Sequence, residues 1–371
     1  METALLDENP SSTDAKRRGQ VVSRAQSPDE VDALESGWRQ LAESLPPMAQ
    51  FEWTRACLHA FATGSVPHVV AVHRGERITA LAPLVKKRLR GVRRLMLAGV
   101  SDVYEPMDLL WTDRRSLDRL VTSLVRRGTP LLLERIAANS ASVAAIQRAY
   151  RGRAIVLARQ QATCPYITLD ESWLEPELHL NSGRRSDLRR ARRKAEQLGT
   201  VTTQIRAPDL SELPALLDTA FEVEAQSWKG DTGTALAHDA HRAVFYRQYA
   251  EAACVAGVLR ICFLRIGDRV AAMQLAVEQG EGFWLLKVGY DSRFANCSPG
   301  LLLMRDTIRY AVEAGVKSYE FLGRAESWTR VWTETEHPYI SLRVYPLGVR
   351  GLAALTADVL AAMHQRWRNR R

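Results

Sequence analysis

Apolar positions along this chain switch repeatedly between a period near 3.6 and a period of two. Ser27-Pro28-Asp29-Glu30 has the form of a capping box. It opens a helix that places Val31, Leu34, Trp38, Leu41 and Leu45 on one face, and Pro46-Pro47 ends it. Residues 51–61 predict a second helix. Alternation then predicts a hairpin, with strands at 67–73 and 78–85 around Arg74-Gly75-Glu76. Strand-like runs follow at 94–98, 107–111, 131–136 and 154–158, with helices at 116–127 and 140–151.

Residues 161–180 read as a crossover containing a strand-like run at 166–169. Beyond it come a very basic helix at 182–198, a strand at 200–206, and helices at 209–227 and 238–256. Strands at 258–265, 267–277 and 283–290 lead into an irregular turn. There Ser298 is placed to cap a helix and Pro299 to occupy its first turn, where a missing N–H costs nothing. Leu301, Met304, Ile308, Ala311 and Val312 give this helix a buried stripe, and Gly315 stops it. Strands at 318–322 and 337–345 and a helix at 351–368 complete the pattern. The backbone N–H groups of residues 297–301, at a helix N-terminus following a strand end, form a geometry suited to phosphate.

The expected organisation is a disordered tail (1–20), an N-terminal domain (21–160), the crossover (161–180), a C-terminal domain (181–346) and a basic C-terminal helix (347–371). Gly75-Glu76-Arg77-Ile78 and Gly267-Asp268-Arg269-Val270 are matching hairpin turns, one in each half, which suggests a tandem duplication.

Composition narrows the partners. The 371 residues are 46% apolar and 25% charged, enough for a sizeable core. Five scattered cysteines without a C-x-x-C indicate a reducing compartment and neither a disulfide framework nor structural zinc. His238 and His241 are three apart with no carboxylate completing a ligand set, so no metal is expected. No run approaches the ~18 apolar residues of a membrane span, and the first residues lack an apolar leader core, which makes the cytoplasm the expected location. A net charge of +9 favours anionic partners.

Tyr290-Asp291, Ser298-Pro299-Gly300, Glu320-Phe321-Leu322-Gly323 and Trp332 follow one another along the second half. That order resembles the GNAT acetyltransferase superfamily. Within it, the chain resembles the branch associated with cellulose and exopolysaccharide biosynthesis, which is related to Fem-type peptidyltransferases. The resemblance spans residues 25–346. It implies an α+β fold of two tandem GNAT-like domains, each a mixed, mostly antiparallel sheet flanked by helices. It also implies acetyl-coenzyme A as acyl donor. The family's phosphate loop, Gln/Arg-x-x-Gly-x-Gly/Ala, corresponds here to Arg293-x-x-Asn296-x-Ser298 and agrees only at its first position. By this resemblance Val288, Arg293, Asn296, Cys297, Ser298, Pro299, Gly300 and Leu301 hold the coenzyme, with the Val288 N–H as oxyanion donor.

The same resemblance makes Glu320 the general base, or else a structural carboxylate paired with an arginine. Tyr290 is either the acid for the departing thiolate or a packed tyrosine, and Asp291 either touches substrate or caps the turn. The acceptor groove would contain Trp228, Lys229, Glu326 and Trp328. Thr329 stands where the family carries lysine, and Arg324 or Arg330 could replace that charge.

The implied activity is direct transfer of an acetyl or other acyl group to an amine or hydroxyl on a sugar or polysaccharide precursor. Two other readings remain. A Fem-type aminoacyl-tRNA-dependent transferase would use the run Arg184, Arg185, Arg189, Arg190, Arg192, Arg193 and Lys194, and tRNA is the one nucleic acid considered. A non-catalytic GNAT-like scaffold is the other, and the basic C-terminal helix is a candidate peripheral membrane contact.

Overall fold

The structure is a computed structural model that describes residues 19–227 and 239–368. Nearly all of the expected 1–20 tail lies outside the described residues, as do Trp228, Lys229 and His238. The capping box forms: the Ser27 hydroxyl accepts from the Glu30 N–H at 3.3 Å, and the Glu30 carboxylate reaches back to the Gln26 N–H at 2.6 Å.

The first half carries two sheets. Val21–Ala25, Val69–Arg74, Arg77–Ala82 and Leu110–Trp111 form the smaller one, in that order. The larger runs Ser65–Pro67, Leu84–Leu89, Val92–Leu97, Leu131–Ala137, Tyr339–Pro346, Ala154–Gln160. Tyr339–Pro346 is thus inserted, antiparallel on both sides, into the sheet of the first half. In return Cys164–Thr168, within the expected crossover, pairs with Ser318–Glu320 and Glu336–His337 in the sheet of the second half. The two halves exchange strands, so the segment limits expected at 160 and 346 do not bound the sheets. Alternation marks a strand, but its partners are set by contacts far away in sequence.

The second sheet runs Val201–Arg206, Leu259–Ile266, Arg269–Gln279, Gly282–Tyr290, Ser318–Glu320, Cys164–Thr168, Glu336–His337. Its pairs are antiparallel except Gly282–Tyr290 with Ser318–Glu320. One face shares a core with the first half through helices Leu213–Ala225 and Ala240–Val255. There Trp53 meets Phe245 and Tyr249 edge-on at 4.9 and 4.8 Å, each pair adding about 0.5–1.5 kcal/mol beyond the area it buries. The opposite face packs on helices Ser182–Leu198 and Pro299–Glu313. The basic helix buries only Leu188, Ala191 and Ala195, so its arginines remain at the surface. Helix Val349–Arg368 lies on the six-stranded sheet. A Cβ at Gly351 would sit 1.8 Å from the Pro346 carbonyl oxygen, so only glycine permits that approach.

Candidate active site

The parallel pairing between Gly282–Tyr290 and Ser318–Glu320 lasts three residues, ending at Trp284 opposite Glu320. Just beyond, Leu275 faces Lys287 while Ala276 faces Leu285, so Leu286 is the extra residue of a β-bulge. The bulge bends the strand, and residues 285–290 diverge to line a cavity of about 460 Å³. Ser298, Pro299, Gly300 and Leu301 close it at the helix start, Leu322, Gly323 and Arg324 at its side, and Glu105 and Tyr246 from across the shared core. Helix Leu213–Ala225 packs so closely behind the strand that a Cβ at Gly289 would lie 2.8 Å from the Glu224 Cα.

Pro299 takes the first helical position as expected. Ser298 occupies the cap position in a left-handed conformation, φ 44° and ψ 51°, and its side chain makes no capping bond. The expected hydroxyl cap is therefore corrected: the preceding 3-10 turn, Ser292–Cys297, delivers the chain left-handed, and the Ser298 carbonyl accepts from Leu301 and Leu302 at 3.0 and 3.3 Å instead. A Cβ at Gly300 would meet nothing within 4 Å, so the helix start is open. Of the remaining loop residues, Arg293 is turned onto Asp291 and Gln226, Asn296 is exposed away from the cavity, and Cys297 is buried in the core. Burial pushes the Cys297 thiol up despite the nearby charge of Lys194.

Val288 and Tyr290 line the cavity, as do Glu326 and Trp328, whose indole N–H donates to Glu326 at 2.9 Å. Thr329 is buried and ties off this turn through the Glu326 N–H and carbonyl, while Arg324 lies at the cavity and over the Tyr104 ring. Asp291 is buried and caps the turn, accepting the Arg293 N–H at 2.9 Å and its guanidinium at 2.6 Å. Burial alone would raise its carboxyl, but the Arg293 hydrogen bonds and charge bring it below the usual range. Glu320 points to the other side of its strand from the cavity residue Phe321 and meets His337 at 3.2 Å, with the His337 ring stacked on Tyr166.

Sequence reasoning missed Glu105. It is buried, lines the cavity and accepts the Gly323 N–H at 3.3 Å. Burial raises its carboxyl to about 7, against the opposing pulls of Arg135, the Gly323 N–H and Lys287. Arg135, fully buried, donates to the Gly323 carbonyl at 2.6 Å and the Cys164 sulfur at 2.7 Å, and lies 4.3 Å over the Tyr104 ring. Ser298 and Leu322, which line this cavity, have left-handed backbone, as do Tyr104 and Arg135, which pack on one another beside Glu105 and Gly323; such strain is typical of functional sites. The sequence offers little signal: Glu105 is one of three acids in the stretch Asp102 to Asp108, and nothing in the local pattern links it to Gly323.

Residues 182–330, which contain the diverging strand pair and the helix start, match the family model for an acetyltransferase (GNAT) domain. The whole chain is similar to the crystal structure of FemX, 12% identical, with 91% of this chain and 100% of that one covered at a TM-score of 0.58. It is also similar to the C-terminal domain of a candidate lysylphosphatidylglycerol synthetase from Agrobacterium fabrum, at 13% identity, 89% and 97% coverage and a TM-score of 0.55. A conserved protein of unknown function from Bacteroides thetaiotaomicron aligns at 9% identity, 87% and 99% coverage and a TM-score of 0.55. These identities speak to the fold alone, which is α+β, with mixed, mostly antiparallel sheets flanked by helices in both halves. The comparison with curated proteins finds no match.

Proposed function

We propose that this protein transfers an acetyl group directly from acetyl-coenzyme A to an amine or hydroxyl, on a sugar or polysaccharide precursor. The observation that carries the reading is the single cavity that joins the splayed strand, the open helix start at Gly300 and a buried carboxylate with a raised pKa. The coenzyme supplies the acyl group as an activated thioester. Residues 298–301 suit its diphosphate, with Lys194 and the basic helix adding positive charge beside the loop.

Glu105 accepts the proton lost by the acceptor as the new C–N or C–O bond forms. A carboxyl near 7 is poised for that step, because its base form is both populated and basic enough at neutral pH. Tyr290, also in the cavity, returns a proton to the leaving sulfur. Cys297 is buried with a raised thiol, which favours direct transfer over an acyl-enzyme. Glu320, held by His337, serves the structure in this reading.

Calorimetric titration with acetyl-coenzyme A, followed by thiol-release assays on a panel of amino sugars and sugar alcohols, tests the proposal. Absence of coenzyme binding would overturn it. An aminoacyl-tRNA-dependent activity is the second reading, favoured by the fold shared with FemX and by the exposed arginine helix.

A further inference from the structure

Helix Val349–Arg368 is amphipathic with its faces reversed. Its inward stripe is Gly351, Ala354 and Asp358, the first two small and the third held by ions. Asp358 accepts from Arg94 at 2.7 and 2.9 Å, Arg90 at 2.8 Å, Arg343 at 3.1 Å and the Tyr345 hydroxyl at 2.7 Å, which fastens the helix to the six-stranded sheet. The large apolar side chains point the other way. Leu352, Leu360, Met363 and Trp367 are 64%, 61%, 62% and 53% exposed, and their spacing forms one stripe along the outer face. A soluble helix ordinarily buries such a stripe, and a continuous exposed one marks an interaction surface.

Charge identifies the partner. Arg350, Arg366 and Arg368 flank the stripe, and among the described residues of the helix Asp358 is the sole carboxylate, spent inward. The neighbouring hairpin Leu84–Leu89 and Val92–Leu97 holds the helix in place, its Arg90 and Arg94 gripping Asp358. We propose that this outer face docks on an anionic lipid bilayer, lying in the headgroup region with the apolar stripe inserted and the arginines on the lipid phosphates. A second copy of the chain fits poorly. Two such helices packed antiparallel would set Arg350 against Arg366 and Arg368, with no exposed carboxylate among the described residues of either helix to compensate. No described helix is long and apolar enough to cross a membrane, so contact would be peripheral.

Flotation of the full chain with phosphatidylglycerol–phosphatidylcholine vesicles, and with phosphatidylcholine vesicles alone, tests this independently of any enzymatic activity. Binding is expected to the first and not the second, and to weaken as salt is raised. The double variant Leu360→Asp, Met363→Asp should lose about tenfold or more of the binding, since each residue contributes apolar area to insertion. Both side chains are exposed, so its thermal melting should match the wild type. Equal flotation of wild type and variant, or equal binding to both vesicle types, would overturn the proposal. So would a wild-type dimer in sedimentation velocity that the variant disperses, with no vesicle binding by either protein.

Discussion

Glu105 accepts the backbone N–H of Gly323 at 3.3 Å, joining residues 218 apart in the chain. Arg135 binds the carbonyl of the same glycine at 2.6 Å, so Gly323 is clamped from both sides by the first half of the chain. The clamp holds Leu322 and Gly323 in successive left-handed conformations, φ 56° and 55°, where the polypeptide turns away from the parallel strand pair. The divergence that opens the cavity in the second half is therefore stabilised by residues of the first. This gives a physical reason for the two halves to share a core.

If Glu105 is the base, Glu105→Gln should lower turnover by about 10² to 10⁴ and leave acetyl-coenzyme A affinity nearly unchanged. The wild-type rate should fall about tenfold per unit as pH drops below about 7, where the carboxyl is protonated, and the variant should lack that limb. Glu320→Gln, which removes a carboxylate paired with His337 outside the cavity, should stay within a few-fold of wild type. A large loss at Glu320 with none at Glu105 would reverse the assignment.

The same carboxyl has a signature in folding. Its folded pKa of about 7 lies above the ordinary 4.5, so between those values the native state binds more protons than the unfolded one. Native stability should consequently decline as pH rises through that window and level off above it. Denaturant titrations at about pH 5 and about pH 8 should show this decline in the wild type and a smaller one in Glu105→Gln. A slope of the same size in both proteins would place the raised group elsewhere.

Features that depend on local sequence were readable. The Ser27–Glu30 box, Pro299 opening its helix and Asp291 capping its turn each depend on a few neighbouring residues. Ser298 misled because a serine before Pro299 suggests a side-chain cap, while the turn before it dictates a left-handed entry. The place of Glu105 and the strand exchange were illegible for a common reason. Glu105 meets Gly323, and Tyr339–Pro346 slots between Leu131–Ala137 and Ala154–Gln160, through pairings that no short-range period encodes.

Gly300 offers a test of the proposed coenzyme site that spares the fold. A Cβ there meets nothing within 4 Å, so Gly300→Glu should melt like the wild type. Its carboxylate would oppose an anionic ligand at the positive end of the helix dipole, an effect of about 1 kcal/mol before steric exclusion is added. Calorimetry should show acetyl-coenzyme A binding in the wild type and none in the variant. Equal affinity would remove the helix start from the site.

Asp358 should matter for stability rather than chemistry. Burial would raise its carboxyl, but Arg94, Tyr345 and Arg90 outweigh that and hold it at about 2. A depressed folded pKa adds stability above the ordinary 3.8, and that stability is lost as pH falls toward 2. Asp358→Ala would leave the fully buried Arg94 without its counter-charge, at a cost of about 3–5 kcal/mol by denaturant titration at neutral pH. Coenzyme affinity measured well below the new melting point should be unchanged, because the pair lies on the six-stranded sheet and not at the cavity. A change under about 1 kcal/mol would show that the helix is held by other contacts.

The arginine helix separates the two enzymatic readings. A tRNA-dependent transferase must neutralise many phosphates, so log affinity should fall with log salt at about −0.9 per duplex phosphate contact. The helix supplies less free charge than its composition suggests: Arg190 pairs with Asp187 at 2.6 Å and Arg192 with Glu196 at 2.7 Å. Coenzyme A presents only a few phosphate charges and should show a much shallower dependence. We therefore expect filter binding with bulk tRNA to be weak, and a joint Arg189, Arg190, Arg192 and Arg193 to Gln variant to slow capture of an anionic acceptor without abolishing turnover. A steep salt slope with sub-micromolar tRNA affinity, lost in that variant and accompanied by no response to acetyl-coenzyme A, would decide for the tRNA-dependent activity.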